Sequence, residues 1–257
     1  MPSVPRVVIV LGPYRSGTSL TARIISDLGA DFGPAEGLIP ADERNPSGYL
    51  ERDVVNDANR DFIASTNGTL ENPGDPGNLL AHGDRSHLLG TDLAWLHAAP
   101  LAGIKDPRMC ATLAAWFDAG LLAPATTLVV HITRDLESTL QSALKHDHVA
   151  AYADRDPTRL RAMIERYAAA ALWQLKRFPA PRIDIAYEDL LAQPVESTTR
   201  LAHSLGVTCP LIIRRAAANI GRDRARASLH MRRRFIALRF RLGNWKSALL
   251  RRRPPSA

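Results

Sequence analysis

Three absences narrow the classes of protein that this sequence can encode. No apolar run approaches the roughly 18 residues of a membrane-spanning helix, and the apolar run near the N terminus is too short for a signal-peptide core, so a cytoplasmic protein is expected. The only two cysteines, Cys110 and Cys209, exclude a disulfide framework and favour a reduced compartment. The histidines lack paired metal-ligand spacing, so no metal site is expected.

Positive charge, by contrast, is concentrated at one end of the chain. Residues 222–257 contain 12 Lys and Arg against one acidic residue, a net charge of +11. The whole chain carries +7, so residues 1–221 carry −4. We therefore expect a mildly acidic domain over residues 1–221 and a separate basic tail. Such asymmetry favours a polyanionic partner for the tail, whether a membrane surface, a nucleotide or a nucleic acid.

The rest of the chain is organised around residues 7–29. Val7–Leu11 is a short, wholly apolar run with β-branched residues, which predicts a strand buried on both faces. A glycine-containing loop follows, and then a helical pattern that extends through Leu28, with Gly29 just past its end. A strand that leads through such a loop into a helix is an anion-binding arrangement, because free backbone N–H groups and the positive end of the helix dipole converge there.

The spacing of this loop resembles the nucleoside-triphosphate P-loop, with one substitution that matters. Gly12, Gly17 and Ser19 occupy the positions of G-x-x-x-x-G-K-[ST], but Thr18 stands where that motif requires Lys. That Lys neutralises a dianionic phosphoryl group during its transfer. A loop without it favours a transferring group of lower charge, or a cation supplied from elsewhere, for which Arg15 and Lys105 are candidates.

Residues 13–19 read P-Y-R-S-G-T-S, which resembles the 5′-phosphosulfate loop of PAPS-dependent sulfotransferases, P-x-[RK]-S-G-T-[ST]. PAPS is adenosine 3′-phosphate 5′-phosphosulfate. The resemblance implies that this cosubstrate is bound by Arg15, Ser16, Gly17, Thr18 and Ser19. On the loop alone, a kinase with an altered P-loop or an unrelated strand–loop–helix remains an alternative.

A second anion site is indicated by Arg134 and Ser142. The residues are eight apart, at the end of the predicted strand 126–133 and on the helix after it, so both can face the same side. A guanidinium and a hydroxyl together suit a phosphate. The R-x7-S pattern at a strand–helix junction resembles the 3′-phosphate site of sulfotransferases. Two phosphate sites on one nucleotide are the mark of PAPS.

Two further strand ends carry matching elements. Residues 105–108 read K-D-P-R and resemble the K-D-P element of tyrosylprotein and related sulfotransferases, in which the Lys stabilises the transferring group. Lys105 would then replace the Lys that the loop lacks. Residues 187–190 read Y-E-D-L and are similar to a Y-E-[DQ]-L segment of the family, which implies that Tyr187 lies near the nucleotide.

The general base has two candidates. Glu51 ends the segment 45–51, N-P-S-G-Y-L-E, which resembles N-P-x-G-[YF]-[WFL]-E in many bacterial members of the family. Glu36 lies 21 residues after Arg15, an offset that matches the catalytic Glu of tyrosylprotein sulfotransferases. An ionised carboxylate at either position suffices as a base. We favour Glu51, because its whole segment matches, and we keep Glu36 as the alternative.

Strand and helix patterns alternate along the chain, which predicts an α/β fold with a parallel sheet covered by helices on both faces, the three-layer sulfotransferase fold. The implied activity is transfer of a sulfuryl group from PAPS to a hydroxyl of a carbohydrate, lipid or small metabolite, without a metal. The alternatives are the P-loop-type kinase and a non-catalytic nucleotide- or membrane-binding protein on the same scaffold.

Residues 222–257 mix Arg clusters with apolar side chains, which is typical either of an amphipathic membrane-surface helix or of a solvated, disordered end. Given the resemblance, we expect no nucleic-acid partner and allow peripheral membrane contact through this tail.

Overall fold

A computed structural model describes residues 5–42, 45, 48–145 and 147–220. The predicted basic tail, residues 222–257, lies outside the described residues. Within the described part, four parallel strands form one sheet in the order β2-β1-β3-β4. These strands are β1 Val7–Leu11, β2 Ala102–Lys105, β3 Thr127–Thr133 and β4 Arg182–Ala186.

The central strand β1 shows why a continuous apolar run predicts a strand that is covered on both faces. Ile9 and Leu11 point into one hydrophobic cluster, and Val8 and Val10 point into the other. All four are 0% exposed, because successive side chains of a strand face opposite sides of the sheet. The sheet is therefore the middle of three layers, and the predicted α/β fold with a parallel sheet covered by helices on both faces is confirmed.

Helices cover both faces of the sheet. One face packs against α1 Thr18–Asp27, α10 Tyr187–Ala192, α11 Pro194–Ser204 and α12, which is helical over 210–220. The other face is covered by α2 Asp53–Ala64, α3 Pro76–His82, α4 Ser86–Leu89, α5 Ala94–Ala98, α6 Met109–Asp118, α7 Leu136–Leu144, α8 Asp147–Ala151 and α9 Pro157–Arg177.

Two segments differ from what the sequence pattern predicts. Residues 67–84 read as turns, yet they contain α3, because the Asp75 side chain accepts a hydrogen bond from the Asn78 backbone N–H (2.9 Å) and Leu79 is 1% exposed. The helical pattern over 88–98 is two short helices, α4 and α5. Local capping and burial thus determine the secondary structure of both segments more than their composition does.

His131, within the apolar run of β3, is a buried histidine with a polar partner. It is 5% exposed, and its Nδ1 lies 2.9 Å from Asp184 Oδ1. Cys110 and Cys209 are both free, the first buried and the second exposed. Among the described residues, no helix has the length and apolar character that crossing a bilayer requires, and no group of three His, Cys, Asp or Glu could hold a metal ion.

Asp135 caps the helix that carries Ser142. Its carboxylate accepts the Ser138 backbone N–H at 2.8 Å, and this bond, with smaller contributions from the Ser138 side chain and Arg134, lowers the pKa of Asp135. A depressed native pKa means that the ionised carboxylate stabilises the fold above its unfolded pKa and that this contribution disappears on acidification.

We therefore expect Asp135→Ala to be less stable than the wild type at neutral pH, with the difference narrowing as the pH falls from about 7 to about 3, across the ordinary carboxyl range. Urea denaturation at several pH values measures the difference. A gap that is constant across this range would contradict the ionised cap.

Candidate active site

The loop between β1 and α1 is held in an anion-binding shape by its own hydrogen bonds. The Ser16 hydroxyl donates to the Pro13 carbonyl oxygen at 2.7 Å, and the Ser16 backbone N–H donates to the same oxygen at 3.2 Å. Arg15 (φ 66°) and Gly17 (φ 103°) both lie in the left-handed region. These turns lead the chain into α1 at Thr18, where the first N–H groups have no partner within the helix.

Gly17 is required by the close approach of an aromatic ring. A Cβ added at this position would lie 2.2 Å from Tyr187 Cδ2, and the residue already has a positive φ. Tyr187 begins α10 directly after β4, so the sheet brings it to the loop. The Arg134 guanidinium carbon in turn lies 4.4 Å from the centroid of the Tyr187 ring. Tyr187 thus packs between the loop and Arg134.

The two predicted phosphate elements meet in what we term the arginine cluster: Arg15, Arg134, Ser142 and Tyr187. Arg15 Nε donates to Ser142 Oγ at 3.2 Å, and an Arg134 Nη1 donates to the Arg15 carbonyl oxygen at 3.0 Å. Burial lowers the pKa of Arg15, and the nearby Arg134 adds to this effect, although Tyr49 opposes it. The cluster thus holds two cationic side chains in partly buried positions beside the loop.

Lys105 lies beside the start of α1, where the loop ends. It ends β2, it is 3% exposed, and its Nζ donates to Ser19 Oγ at 3.1 Å. A second bond from Nζ goes to Glu51 Oε1, so lysine and glutamate form a buried ion pair. The loop has Thr18 where the P-loop has a lysine, and Lys105 at the end of the neighbouring strand provides a cation beside the loop instead.

Glu51 and Glu36 occupy very different environments. Glu51 is 8% exposed, and its Oε2 accepts a hydrogen bond from Asn56 Nδ2 at 3.2 Å while Oε1 contacts Lys105. The Glu36 side chain is exposed, and its backbone carbonyl accepts from Arg52 Nη2 at 3.3 Å. The structure thus brings Glu51, and not Glu36, into contact with Lys105.

Tyr49 lies beside this ion pair. The Lys105 ammonium is 5.9 Å from the centroid of the Tyr49 ring, and the Tyr49 hydroxyl bonds to the Asp42 carboxylate at 3.0 Å. Burial, together with the Asp42 bond, raises the pKa of Tyr49 to about 12. The phenol therefore stays protonated at neutral pH and keeps its hydrogen bond to Asp42.

Behind the ion pair lies a buried network around Asp106 and Arg108, and its members outside the K-D-P-R element were missed at the level of sequence. Asp106 is 0% exposed and accepts hydrogen bonds from Arg108 Nη1 (2.9 Å), the Arg108 backbone N–H (2.9 Å) and Asn59 Nδ2 (2.8 Å). Burial raises the pKa of Asp106, and Arg108 opposes that rise. Asn59 Oδ1 accepts from Thr112 at 2.6 Å and from Trp116 Nε1 at 2.8 Å. The network ties α2 and α6 to the end of β2.

A signal for this network exists in the sequence. The stretch 52–65 has apolar residues at helical spacing, among them Val55 and Phe62, and Asn56 and Asn59 lie three residues apart on the same side of that helix. Amides at such positions are buried only with partners. In the K-D-P-R element, Pro107 is a residue that favours the first turn of a helix. Instead, α6 begins at Met109, because Asp106 accepts the Arg108 backbone N–H and closes a turn first.

Comparison with known proteins assigns the family. A family model described as the sulfotransferase family matches residues 5–210, and the chain therefore belongs to that family. This membership confirms the predicted enzyme class, sulfotransferase, and with it the predicted cosubstrate, PAPS. No curated protein matches the sequence.

Solved structures share the fold at low identity. The sulfotransferase domain from the curacin biosynthetic pathway is 17% identical, with a TM-score of 0.50 over 81% of this chain and 76% of that chain. A sulfotransferase from Alicyclobacillus acidocaldarius is 17% identical, with a TM-score of 0.47 over 88% and 95%. Retinol dehydratase in complex with androsterone and inactive cofactor PAP is 17% identical, with a TM-score of 0.41 over 85% and 65%. The first of these supports the fold.

The buried network generates a stability prediction. Asp106→Ala leaves the Arg108 guanidinium buried without its carboxylate, so we expect the free energy of unfolding to fall by about 3–5 kcal/mol. Urea denaturation measures this change. Glu165→Ala, an exposed carboxylate on α9, is the control and should change the free energy by less than about 0.5 kcal/mol. An Asp106 variant as stable as this control would contradict the network.

Proposed function

We propose that this sulfotransferase moves the sulfuryl group of PAPS to a hydroxyl of a carbohydrate, lipid or small-metabolite acceptor, with Glu51 as general base and without a metal. One observation carries the proposal. Lys105 Nζ contacts both Ser19 of the loop (3.1 Å) and Glu51, so a base and a cation lie at the point where the loop opens α1.

The arginine cluster supports a bisphosphorylated nucleotide as the ligand. The free N–H groups at the start of α1 and residues 15–19 suit the 5′-phosphosulfate. Arg134 and Ser142 suit the 3′-phosphate, since guanidinium and hydroxyl donors pair with phosphate oxygens. Arg134 Nε is buried and has no hydrogen-bond partner in the part of the chain that the structure describes. A buried donor of this kind fits an anionic ligand.

In the proposed step the acceptor oxygen attacks sulfur in line with the bond to the 5′-phosphate. Glu51 takes the proton of the acceptor hydroxyl as the new S–O bond forms. The bond between sulfur and the bridging oxygen breaks, and its electron pair leaves on adenosine 3′,5′-bisphosphate (PAP). Lys105 and Arg15 stabilise the charge that develops near the bridging oxygen. The sulfuryl group carries a single negative charge, which suits a loop without the P-loop Lys.

The structure favours Glu51 over Glu36 as the base. Glu51 is buried at the ion pair, whereas the side chain of Glu36 is exposed. The kinase alternative loses support because the family model covers most of the chain. The non-catalytic alternative differs from the proposal in one observable: it predicts nucleotide binding without transfer. Transfer of radiolabelled sulfate from PAPS to an extract of the source cells, with the labelled product identified, distinguishes the two.

The nucleotide sites generate a prediction about binding affinity. We expect PAP to bind the wild type more tightly than adenosine 5′-monophosphate does, because only PAP carries the 3′-phosphate. Arg134→Ala should weaken PAP binding by about ten- to a hundredfold, the equivalent of a charged hydrogen bond. It should weaken binding of the monophosphate much less, because Arg134 contacts the loop only through the Arg15 carbonyl oxygen and Tyr187. Isothermal titration calorimetry measures both affinities.

Arg214→Ala removes an exposed arginine on α12 and is the matched control, with both affinities unchanged. Equal losses for the two nucleotides in Arg134→Ala would contradict the assignment of Arg134 to the 3′-phosphate.

A further prediction concerns the general base. Glu51→Gln keeps the shape of the side chain but cannot take a proton, so the rate of sulfate transfer should fall by about 10²–10⁴-fold. Glu36→Gln should transfer at close to the wild-type rate. The radiolabel assay, run with the acceptor it identifies, measures both rates. If Glu36→Gln loses activity and Glu51→Gln retains it, the assignment of the base is reversed.

A further inference from the structure

The ion pair between Lys105 and Glu51 places the two groups that the reaction needs in contact with each other. Their side chains are 2% and 10% exposed, so water competes little with their attraction. Both oxygens of Glu51 are engaged, one by Lys105 and the other by Asn56 (3.2 Å). While Lys105 is bonded to this carboxylate, an acceptor hydroxyl has to compete with the ammonium group for the same oxygen.

Lys105 has a second position within reach. Its Nζ also donates to Ser19 Oγ at 3.1 Å, and Ser19 lies in the first turn of α1, among the free N–H groups of the proposed 5′-phosphosulfate site. An anion bound there competes with Glu51 for the ammonium group. The cosubstrate carries several negative charges against one on the carboxylate, so Coulomb attraction favours its side.

The neighbouring buried carboxylate cannot take over the role of Glu51 toward Lys105. Asp106 already accepts three hydrogen bonds, two from Arg108 and one from Asn59. Asn56 remains bonded to Glu51 if Lys105 leaves, which keeps the carboxylate in place. The contacts therefore allow the lysine to change partner while the glutamate stays fixed.

We propose that Glu51 and the cosubstrate compete for Lys105, so that the base is held inactive by the lysine until PAPS binds and draws it away. This inference rests on the proposed function of the same site. It implies an order of events in which PAPS binds first and only then does Glu51 become available to an acceptor hydroxyl. The enzyme is thereby kept from activating a hydroxyl when there is no sulfuryl group to transfer.

The competition predicts the direction in which a Glu51 variant changes the affinity for PAP. Glu51→Gln removes the competing charge, so PAP should bind about tenfold more tightly than it does to the wild type, in the range typical of coupled sites. Asp53→Asn is the matched control. It removes one negative charge from an exposed position two residues away and should leave PAP affinity within about twofold of the wild type. Isothermal titration calorimetry at fixed ionic strength measures all three.

Each outcome decides between the two proposals. If Glu51→Gln binds PAP no more tightly than Asp53→Asn does, the ion pair is purely structural and the competition is overturned, while the proposed function stands. If the wild type binds no PAP, both are overturned.

A second measurement follows the Lys105 ammonium group directly in the wild type. The chain has only four lysines, at positions 105, 145, 176 and 246, so the side-chain ammonium signals are few in a ¹H–¹⁵N spectrum. We expect the Lys105 signal, assigned by its loss in Lys105→Met, to shift when PAP is added. A Lys105 signal that stays in place while calorimetry records PAP binding overturns the competition.

Discussion

The candidate site depends on the parallel register of three strands. Val10 of β1 pairs with Lys105, the last residue of β2, and Leu11 of β1 pairs with His131 in β3. Because all the strands run in the same direction, the loop after β1, the K-D-P-R turn after β2 and Arg134 after β3 emerge at one edge of the sheet. A shift of one residue between β1 and β2 would turn Lys105 to the opposite face and separate it from Ser19.

This arrangement explains how the protein manages without the P-loop lysine. In the nucleoside-triphosphate loop the cation belongs to the loop itself, whereas here Lys105 comes from the neighbouring strand and reaches Ser19 across the gap. A lysine on a separate element can form an ion pair with Glu51. Its position also depends on the buried network around Asp106, the next residue in the chain. The position of the cation thus depends on the packing of α2 and α6, and not on the loop alone.

The sequence predicts the positions of those site residues that lie at strand ends, and it leaves alternatives open where tertiary contacts direct a loop. Five of the predicted residues lie at or just after a strand end, or on the helix that follows one, and the structure brings them together around the loop: Arg15, Lys105, Arg134, Ser142 and Tyr187. The choice between Glu36 and Glu51 depended on the path of residues 33–50. That path is set partly by Arg52, whose guanidinium donates to the carbonyl oxygens of Phe32, Pro34 and Glu36. Such contacts leave no periodic pattern.

The left-handed backbone at Arg15 has a consequence for how this loop can vary. A non-glycine residue in that region costs roughly 1–2 kcal/mol, and glycine would remove the cost. A glycine there would also remove the guanidinium that reaches Ser142. The loop therefore keeps a conformationally unfavourable side chain in exchange for a charge, so selection for thermal stability and selection for ligand affinity act on this one position in opposite directions.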